Sequence, residues 1–582
     1  MGMVGQLLLA LLSGAVPAGA AYLGKLLVDD LAAPGAESGR VSLLAAGVAA
    51  LAGLSAVLSS VSALTTATTG QAVNLRAQDL LYRRINDFRS LRPFEDPETQ
   101  DTIRLAEQSA QNAPRQVLDF LLATVRSSIT VAGFLGAVLA LWPPMGLLLV
   151  GTVAVSVAGQ LRLARQQADT TKSMMATARR QFFYRALLTD RRAVMEVRLF
   201  GAGPLIHRRA MDNLRQTSAA TLAVTRRDAA VQSALAVLGA AVAGVAGVVI
   251  ARQVLRGGVT LGEMTLFTAA VAAIQGALSS VLMQLGRTDE ALQLFARYLT
   301  LLRMPADLPS GELVPRALRQ GIEFDGVWFR YKPDDPWVLR GLDLILPYGQ
   351  AVGLVGANGA GKSTLVKLLC RFYDPERGRI LWDGQDIRTL SVDELRRRIG
   401  ATFQDYMTYD MNARDNIGIG SPELMDDLER VRTAAARADI DETIAGLPRG
   451  YDTMLSRIFL DASNEKGVLL SGGQWQRVAL ARSLFREDAE LLVLDEPSSG
   501  LDPLAEQRVH QALARHRAGR TSLLISHRLS ALRDADTIVV LAGGQVVEQG
   551  RHEQLIEHGG QYAELFAAQA EGYQYALSEE PR

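Results

Sequence analysis

The chain has 582 residues, which is several domains' worth of sequence at about 150 residues per domain, so a single small module is excluded. Basic and acidic residues number 61 each, a balance that argues against a nucleic-acid-binding protein that relies on bulk positive charge. The single cysteine, Cys370, excludes an internal disulfide framework and a cysteine-built zinc or iron–sulfur site within one chain, and it is most simply interpreted as a buried thiol.

The first half of the chain contains long uncharged segments that predict membrane helices. Each is close to the roughly 20 residues that cross a bilayer as a helix. The segment 127–161 is broken at Trp142-Pro143-Pro144, which predicts two helices joined by a tight turn, and residues 120–125 would extend the first of them. A cleaved signal peptide is a competing interpretation of the first segment. Six spans are therefore predicted, within residues 6–27, 41–64, 127–142, 144–161, 229–251 and 264–286.

The charges predict how these spans are oriented. Residues 1–303 hold 29 basic and 19 acidic residues, whereas residues 304–582 hold 32 and 42. Of the 29 basic residues, 8 fall in residues 76–126 and 14 in residues 162–227, so both segments are predicted to be cytoplasmic. Both are longer than a loop requires, and we expect spans two to five to extend beyond the membrane as paired helices.

The predicted spans contain no Asp or Glu, so an intramembrane proton relay is not supported. They are rich in Ala, Gly, Val and Leu, which suits an apolar or amphipathic substrate but also suits helix packing. The molecule carried cannot be identified from these residues. Polar side chains that could contact it or merely pack are Gln232, Gln275, Gln284, Tyr184 and Arg126.

Residues 304–320 contain Pro305, Pro309, Gly311 and Pro315 without an apolar period, and we expect a linker there. The predicted domains are thus a transmembrane domain over 1–303 and a second domain over 321–582. The sequence of the second domain is typical of a soluble α/β domain.

Residues 356–363, Gly-Ala-Asn-Gly-Ala-Gly-Lys-Ser, fit the phosphate-loop pattern G-x-x-x-x-G-K-[ST]. A strand is predicted before them at 351–355 and a helix after them at 364–370. Glycines allow the backbone to wrap around phosphate oxygens and to direct its N–H groups and a helix N-terminus at them. In this pattern Lys362 would contact the β- and γ-phosphates, and Ser363 would bind Mg²⁺.

Residues 491–496, Leu-Leu-Val-Leu-Asp-Glu, predict a buried parallel strand that ends in two carboxylates. Because ligands bind at the carboxyl edge of such sheets, Asp495 is expected to hold Mg²⁺ and Glu496 to polarise the water that attacks the γ-phosphate.

Residues 470–474, Leu-Ser-Gly-Gly-Gln, precede the helical pattern of residues 476–482. A serine and two glycines that open a helix form an anion site. Together with the two preceding motifs, this segment resembles the signature of the ATP-binding cassette (ABC) family. Six spans followed by one cassette are similar to the exporter-type half-transporter of that family, and the resemblance covers the whole chain. The implied fold is multidomain: an all-α six-helix transmembrane domain followed by an α/β P-loop ATPase domain.

The resemblance implies further site residues. Tyr331 resembles the aromatic residue that stacks on adenine, Gln404 the glutamine that contacts Mg²⁺, and His527 the histidine that contacts the γ-phosphate. Residues 499–502, Ser-Gly-Leu-Asp, depart slightly from the usual Ser-Ala-Leu-Asp but keep Asp502 in register. The remaining nucleotide-binding positions that the motifs imply are Gly356, Asn358, Gly359, Gly361, Thr364, Ser471, Gly472, Gly473 and Gln474.

The chain departs from the family pattern at three places. The amphipathic helix that usually precedes the first span is not recognisable in this sequence. Residues 464–467 resemble the Gly-Glu-Arg-Gly loop of the family, but residues 456–463 look inserted before them. A peptidase-like domain ahead of the first span is not recognisable either, so cleavage of a leader peptide is not implied.

The resemblance implies an ATPase that works as a dimer, because the signature of one copy would complete the nucleotide site of the other. A homodimer is favoured since Glu496, His527 and the signature are intact, while a heterodimer stays open. The turns near residues 93–99 and 182–190 are the expected coupling helices. The expected cofactors are ATP and Mg²⁺, and the expected location is the plasma membrane with the cassette in the cytoplasm.

The function that follows is ATP-driven export of a hydrophobic or amphipathic compound such as a drug, a small peptide or a natural product. The alternatives are a lipid flippase, one half of a heterodimeric transporter, a membrane-tethered regulatory ATPase, and an importer built on the exporter fold. The six predicted spans exclude a soluble cassette ATPase acting on nucleic acid.

Overall fold

The structure is a computed structural model, and it describes residues 3–578 except 35–36, 145, 148–149, 152, 156, 160–161, 163–179, 182, 257, 457–466 and 502. The chain divides into two compact units, each described separately below. We call them the membrane unit (Met1–Asp87 and Pro97–Met304) and the α/β unit (Phe88–Asp96 and Pro305–Arg582).

The membrane unit is helical. In the described part of the chain, five of its helices are long and apolar enough to cross a membrane. The fourth predicted span, within residues 144–161, falls where several residues lie outside the described ones. Residues 183–189 are also helical. The labelled helices of this unit are α1 (Met3–Ala32), α2 (Ser38–Asn86), α4 (Pro97–Leu141), α5 (Arg191–Leu199), α6 (Gly203–Leu255) and α7 (Leu261–Arg303).

Helix α2 continues for 49 residues, well past the apolar segment that ends near Leu64, as the sequence predicts. Helix α7 begins with a capping box in which Thr260 and Glu263 bond each other's backbone N–H groups. The core of the unit is formed where α4, α6 and α7 meet. Ala246 and Ala270 are fully buried there, and such small side chains let helices approach closely.

The α/β unit contains a six-stranded sheet and a four-stranded sheet. The first has the strand order β10-β9-β3-β8-β7-β6, in which the neighbours from β9 to β6 are parallel. The second is antiparallel, with the order β2-β1-β4-β5. The strands are β1 (Gly321–Phe329), β2 (Leu339–Pro347), β3 (Ala351–Val355), β4 (Arg377–Trp382), β5 (Gln385–Asp386), β6 (Ile399–Thr402), β7 (Leu491–Asp495), β8 (Thr521–Ile525), β9 (Thr537–Ala542) and β10 (Gln545–Gly550).

This strand order brings the predicted motifs together. Strands β3, β8 and β7 are neighbours, and every residue in each of the three is buried. Their carboxyl ends therefore share one edge of the sheet. The helices of this unit are α3 (Arg92–Glu95), α8 (Lys362–Leu369), α9 (Val392–Arg397), α10 (Ala413–Gly418), α11 (Leu428–Arg437), α12 (Asp441–Ala445), α13 (Gly472–Leu484), α14 (Pro503–Arg517), α15 (His552–His558) and α16 (Gln561–Ser578). The predicted fold class, a helical membrane domain followed by an α/β P-loop domain, is confirmed.

Residues 305–320 contain no helix or strand, and they belong to the α/β unit. The buried guanidinium of Arg371 donates hydrogen bonds to the carbonyl oxygens of Pro309 (2.7 Å) and Leu390 (2.8 Å). Its charge is paired with Asp374 at 3.1 Å. A single buried cation thus fastens this segment to the domain that follows it.

Residues 88–96 belong to the α/β unit although they lie between two membrane helices in the sequence. They contain the short helix α3, which falls in the first predicted coupling segment. Glu95 forms an ion pair with Lys367 (2.8 Å) and accepts a hydrogen bond from the hydroxyl of Tyr373. Burial alone would raise the pKa of Glu95, but these two partners lower it. The second predicted coupling segment includes Phe182, which lies outside the described residues.

Candidate nucleotide site

The phosphate loop connects β3 to α8. Gly359 and Gly361 have φ angles of +80° and +107°, which residues other than glycine rarely adopt. A Cβ atom on Gly361 would also lie 2.8 Å from Cδ2 of Leu339. The backbone conformation therefore requires glycine at both positions, and close packing requires it at Gly361 as well.

Lys362 is the first residue of α8, and its side chain folds back over the loop. Its Nζ donates to the carbonyl oxygens of Gly356 (2.7 Å) and Ala357 (3.0 Å). Burial lowers the pKa of Lys362, and the nearby charges of Glu496 and Asp495 oppose that shift. Asn358, Gly359 and Ser363 are exposed on the same loop. The loop thus presents one cation close to two carboxylates.

Strand β7 delivers both predicted acids. Asp495 is 6% exposed, and burial together with the charge of Glu496 raises the pKa of its carboxyl to about 6. Glu496 has a φ of +52°, an unfavourable left-handed conformation for a residue other than glycine. Its N–H donates to the carbonyl oxygen of Ile525 at 2.9 Å, which holds the strained residue to the neighbouring strand.

The carboxylate of Glu496 contacts two other predicted site residues. Its Oε1 lies 2.8 Å from Nδ1 of His527, and its Oε2 accepts a hydrogen bond from Nε2 of Gln404 at 3.3 Å. Gln404 follows β6, Glu496 follows β7 and His527 follows β8. Gln404 and Glu496 are 92 residues apart in the sequence. The structure therefore brings the three predicted catalytic residues into direct contact.

Tyr331 lies at the loop helix. Its hydroxyl is 3.0 Å from Oγ1 of Thr364, and its ring packs at a right angle against Tyr373. The Nζ of Lys367 lies 5.1 Å from the centre of the Tyr331 ring. The ring is half-buried, which leaves part of its surface available for stacking.

The signature segment opens helix α13 as the sequence predicts. Ser471 is the N-cap, and it forms a capping box with Gln474: Oγ accepts from the N–H of Gln474 (3.3 Å), and Oε1 of Gln474 accepts from the N–H of Ser471 (2.8 Å). Ser471 and Gly472 are exposed, while Gly473 is half-buried. The side chain of Gln474 thus has a local capping role in this conformation.

Asp502, a predicted nucleotide-binding residue, lies outside the described residues, as do residues 457–466 of the predicted insertion and family loop.

The structure adds residues that the motifs did not identify. Nε2 of the buried Gln476 donates to the carbonyl oxygen of Glu496 at 2.8 Å, linking the signature helix to β7. Gln569 of α16 holds the segment that carries His527: its Nε2 donates to the His527 carbonyl oxygen, and its Oε1 accepts from the N–H of Leu529 at 3.0 Å. Gln476 lies next to the signature, whereas no pattern in the sequence marks Gln569.

Known proteins resemble this chain in sequence and in fold. Residues 339–499 match the family model described as ABC transporter. The structure superposes on that of a bacterial Atm1-family ABC exporter with ATP bound, with a TM-score of 0.81 and 26% sequence identity. The superposition covers 97% of this chain and 98% of the other, so it includes the membrane helices as well as the cassette. The chain thus contains an ABC transporter domain and has the fold of an ABC exporter.

The chain also has curated relatives of higher identity over part of its length. It is 42% identical over 269 residues to the ATP-dependent lipid A-core flippase of Chromohalobacter salexigens, a match that covers 46% of this chain and 45% of the flippase. It is 41% identical over 319 residues to the mitochondrial potassium channel ATP-binding subunit of Xenopus tropicalis, covering 54% of this chain and 45% of that subunit. The chain thus spans about half the length of the curated relatives it matches.

Proposed function

We propose that this protein is an ATP-driven membrane exporter of a hydrophobic or amphipathic compound. The observation that carries the proposal is the contact of Glu496 with both His527 and Gln404. This contact lies at the sheet edge where the phosphate loop begins. The fold of an exporter with ATP bound supports it, as does the likeness to proteins named as flippases.

ATP hydrolysis follows from the chemistry of these groups. The N–H groups of the phosphate loop and the ammonium of Lys362 would hold the phosphates. The Glu496 carboxylate would orient and polarise the attacking water, and His527, held 2.8 Å from that carboxylate, would contact the γ-phosphate. Tyr331 would stack on the adenine.

The residues present fit a magnesium ion. Asp495 offers a nearly buried carboxylate at a strand end, and Ser363 and Gln404 offer a hydroxyl and an amide oxygen, all of which are oxygen ligands that Mg²⁺ prefers. Held by these residues, Mg²⁺ would supply positive charge that offsets the negative charge developing on the phosphate oxygens.

The working unit is a dimer in this proposal. Ser471, Gly472 and Gly473 would bind the nucleotide held by the phosphate loop of a second copy, with Asp502 in the loop that crosses between copies. ATP would bind the closed pair more tightly than the open pair, and this difference in affinity would drive the membrane helices between their two states. A homodimer in the plasma membrane, with cytoplasmic cassettes, is the proposed assembly.

The test is ATPase activity of the purified protein in lipid, for the wild type and for Glu496→Gln. Loss of the water-activating carboxylate is expected to reduce kcat by about 10²- to 10⁴-fold, the range for general-base catalysis. Glu557→Gln, which changes an exposed glutamate on α15, serves as the matched control. A wild type whose hydrolysis does not depend on Glu496 would exclude the proposed ATPase.

A lipid flippase is the second candidate, favoured by two relatives named as ATP-dependent lipid A-core flippases, which are 42% and 39% identical to this chain over their matched parts. Reconstituted vesicles with a fluorescent phospholipid in one leaflet distinguish the two. ATP-dependent transfer between leaflets indicates a flippase, whereas ATP-dependent accumulation of a soluble amphiphile indicates an exporter.

A further inference from the structure

The membrane unit contains a polar cavity of about 610 Å³ among α1, α2, α4 and α7. It lies near the ends of the predicted spans that border residues 76–126, the ends predicted to face the cytoplasm. Small and polar side chains line it in place of the apolar residues of the spans. The polar lining includes Gln6, Arg115, Gln116, Asp119, Arg126 and Gln284.

Gln6 has an unsatisfied hydrogen-bond acceptor in the wall of this cavity. The side chain is only 2% exposed, and its Nε2 donates to the carbonyl oxygen of Thr65 (3.0 Å) and to Oγ1 of Thr69 (2.7 Å). A carbonyl oxygen can only accept, so the amide atom that contacts the Thr65 carbonyl must be the nitrogen Nε2. The other amide atom is therefore Oε1, and it has no partner among the described residues. A buried acceptor of this kind favours a ligand that brings a hydrogen-bond donor.

Arg126 supplies an uncompensated positive charge to the same cavity. Arg115 lies 3.8 Å from Asp119, so those two charges largely cancel. The half-buried guanidinium of Arg126 makes neither an ion pair nor a hydrogen bond with the residues that the structure describes. This guanidinium is therefore available to an anion that enters the cavity.

We propose that this cavity binds the anionic headgroup of an amphipathic compound. Arg126 pairs with the anion, and Oε1 of Gln6 accepts a hydrogen bond from a hydroxyl or amine of the same headgroup. The inference rests on the proposed export function and adds to it the class of substrate.

The experiment measures equilibrium binding by calorimetry in nanodiscs of phosphatidylcholine, without nucleotide. Probes that share a twelve-carbon tail are dodecyl phosphate, dodecyl maltoside and dodecyltrimethylammonium, and inorganic phosphate represents the free anion. We expect dodecyl phosphate to bind more tightly than the other three. Arg126→Gln should weaken it at least tenfold, since a charge-assisted hydrogen bond is lost, while Arg126→Lys should change it less than threefold.

A second variant tests the acceptor. We expect the wild type to bind 1-lauroyl lysophosphatidic acid, whose headgroup carries a hydroxyl, more tightly than dodecyl phosphate. Gln6→Leu should abolish this difference in affinity. Arg209→Gln, an exposed arginine on α6 outside the cavity, is the matched control, and a monodisperse elution profile shows that each variant is folded.

The inference would be overturned if dodecyl maltoside, dodecyltrimethylammonium or inorganic phosphate bound as tightly as dodecyl phosphate. It would also be overturned if the folded Arg126→Gln variant bound dodecyl phosphate as tightly as the wild type. Failure of the proposed function has a different readout, because it appears as ATPase activity that does not depend on Glu496.

Discussion

Glu95 and Lys367 are joined by an ion pair of 2.8 Å although they are 272 residues apart in the sequence. Lys367 also lies over the ring of Tyr331, the proposed adenine platform. A segment between two membrane helices thus reaches the candidate nucleotide site through one intervening side chain. The ion pair therefore joins the segment between α2 and α4 to the candidate site within the α/β unit.

We expect Glu95→Ala to reduce the stimulation of ATP hydrolysis by a transported amphiphile about threefold, since residues that link two sites contribute about 0.5–2 kcal/mol of coupling. The measurement compares ATPase rates with and without the amphiphile. Glu107→Ala, which changes an exposed glutamate on α4 outside the predicted coupling segment, is the matched control and should leave the stimulation unchanged. Equal stimulation in the wild type and Glu95→Ala would show that this link is dispensable.

Tyr331→Ala should raise the KM for ATP about tenfold, because stacking of a base on an aromatic ring contributes about 1–3 kcal/mol. Tyr331→Phe retains the ring and loses only the 3.0 Å contact with Thr364, so its KM should stay within about threefold, the loss of one ordinary hydrogen bond. Steady-state kinetics of both variants provide the measurement. If Tyr331→Phe were as impaired as Tyr331→Ala, the hydroxyl and not the ring would be the functional group.

Gln569→Ala should lower kcat about three- to tenfold, because two hydrogen bonds that hold the His527 segment are lost at about 1 kcal/mol each. The KM for ATP should change less than twofold, since the phosphate loop is untouched. Gln511→Ala removes an exposed glutamine from α14 and should be silent. An increase in KM with an unchanged kcat would contradict a positioning role for Gln569.

Cys370 should resist alkylation in the folded protein. The side chain is 4% exposed, and burial raises the pKa of its thiol to about 12, so the reactive thiolate is scarce at neutral pH. We expect maleimide labelling at pH 7.5 to be at least about a hundredfold slower than in denaturant. Because Cys370 is the only cysteine, the intact mass reports this labelling directly. Rapid labelling under native conditions would show that the helix end around Cys370 opens.

Local patterns predicted much of the α/β unit. Strand β3 has the predicted bounds, 351–355, because it is a short apolar run, buried throughout, that ends at the phosphate loop. The long extension of α2 followed from the length of the segment after the span, which exceeds what a loop requires. The contact of Glu496 with His527 and Gln404 did not follow from spacing, because it depends on the order of strands in the sheet.

The sequence by itself determined the chemistry of this protein: the phosphate loop, the paired acids after β7, the signature and the apolar spans are each encoded within a few neighbouring residues. Only the tertiary structure decided which distant side chains meet. The bonds of Gln6 with Thr65 and Thr69, of Glu95 with Lys367, and of Gln569 with His527 join residues 42 to 272 positions apart. Such bonds form only where packing of the core brings their elements together, and polar partners of this kind leave no periodic pattern in the chain.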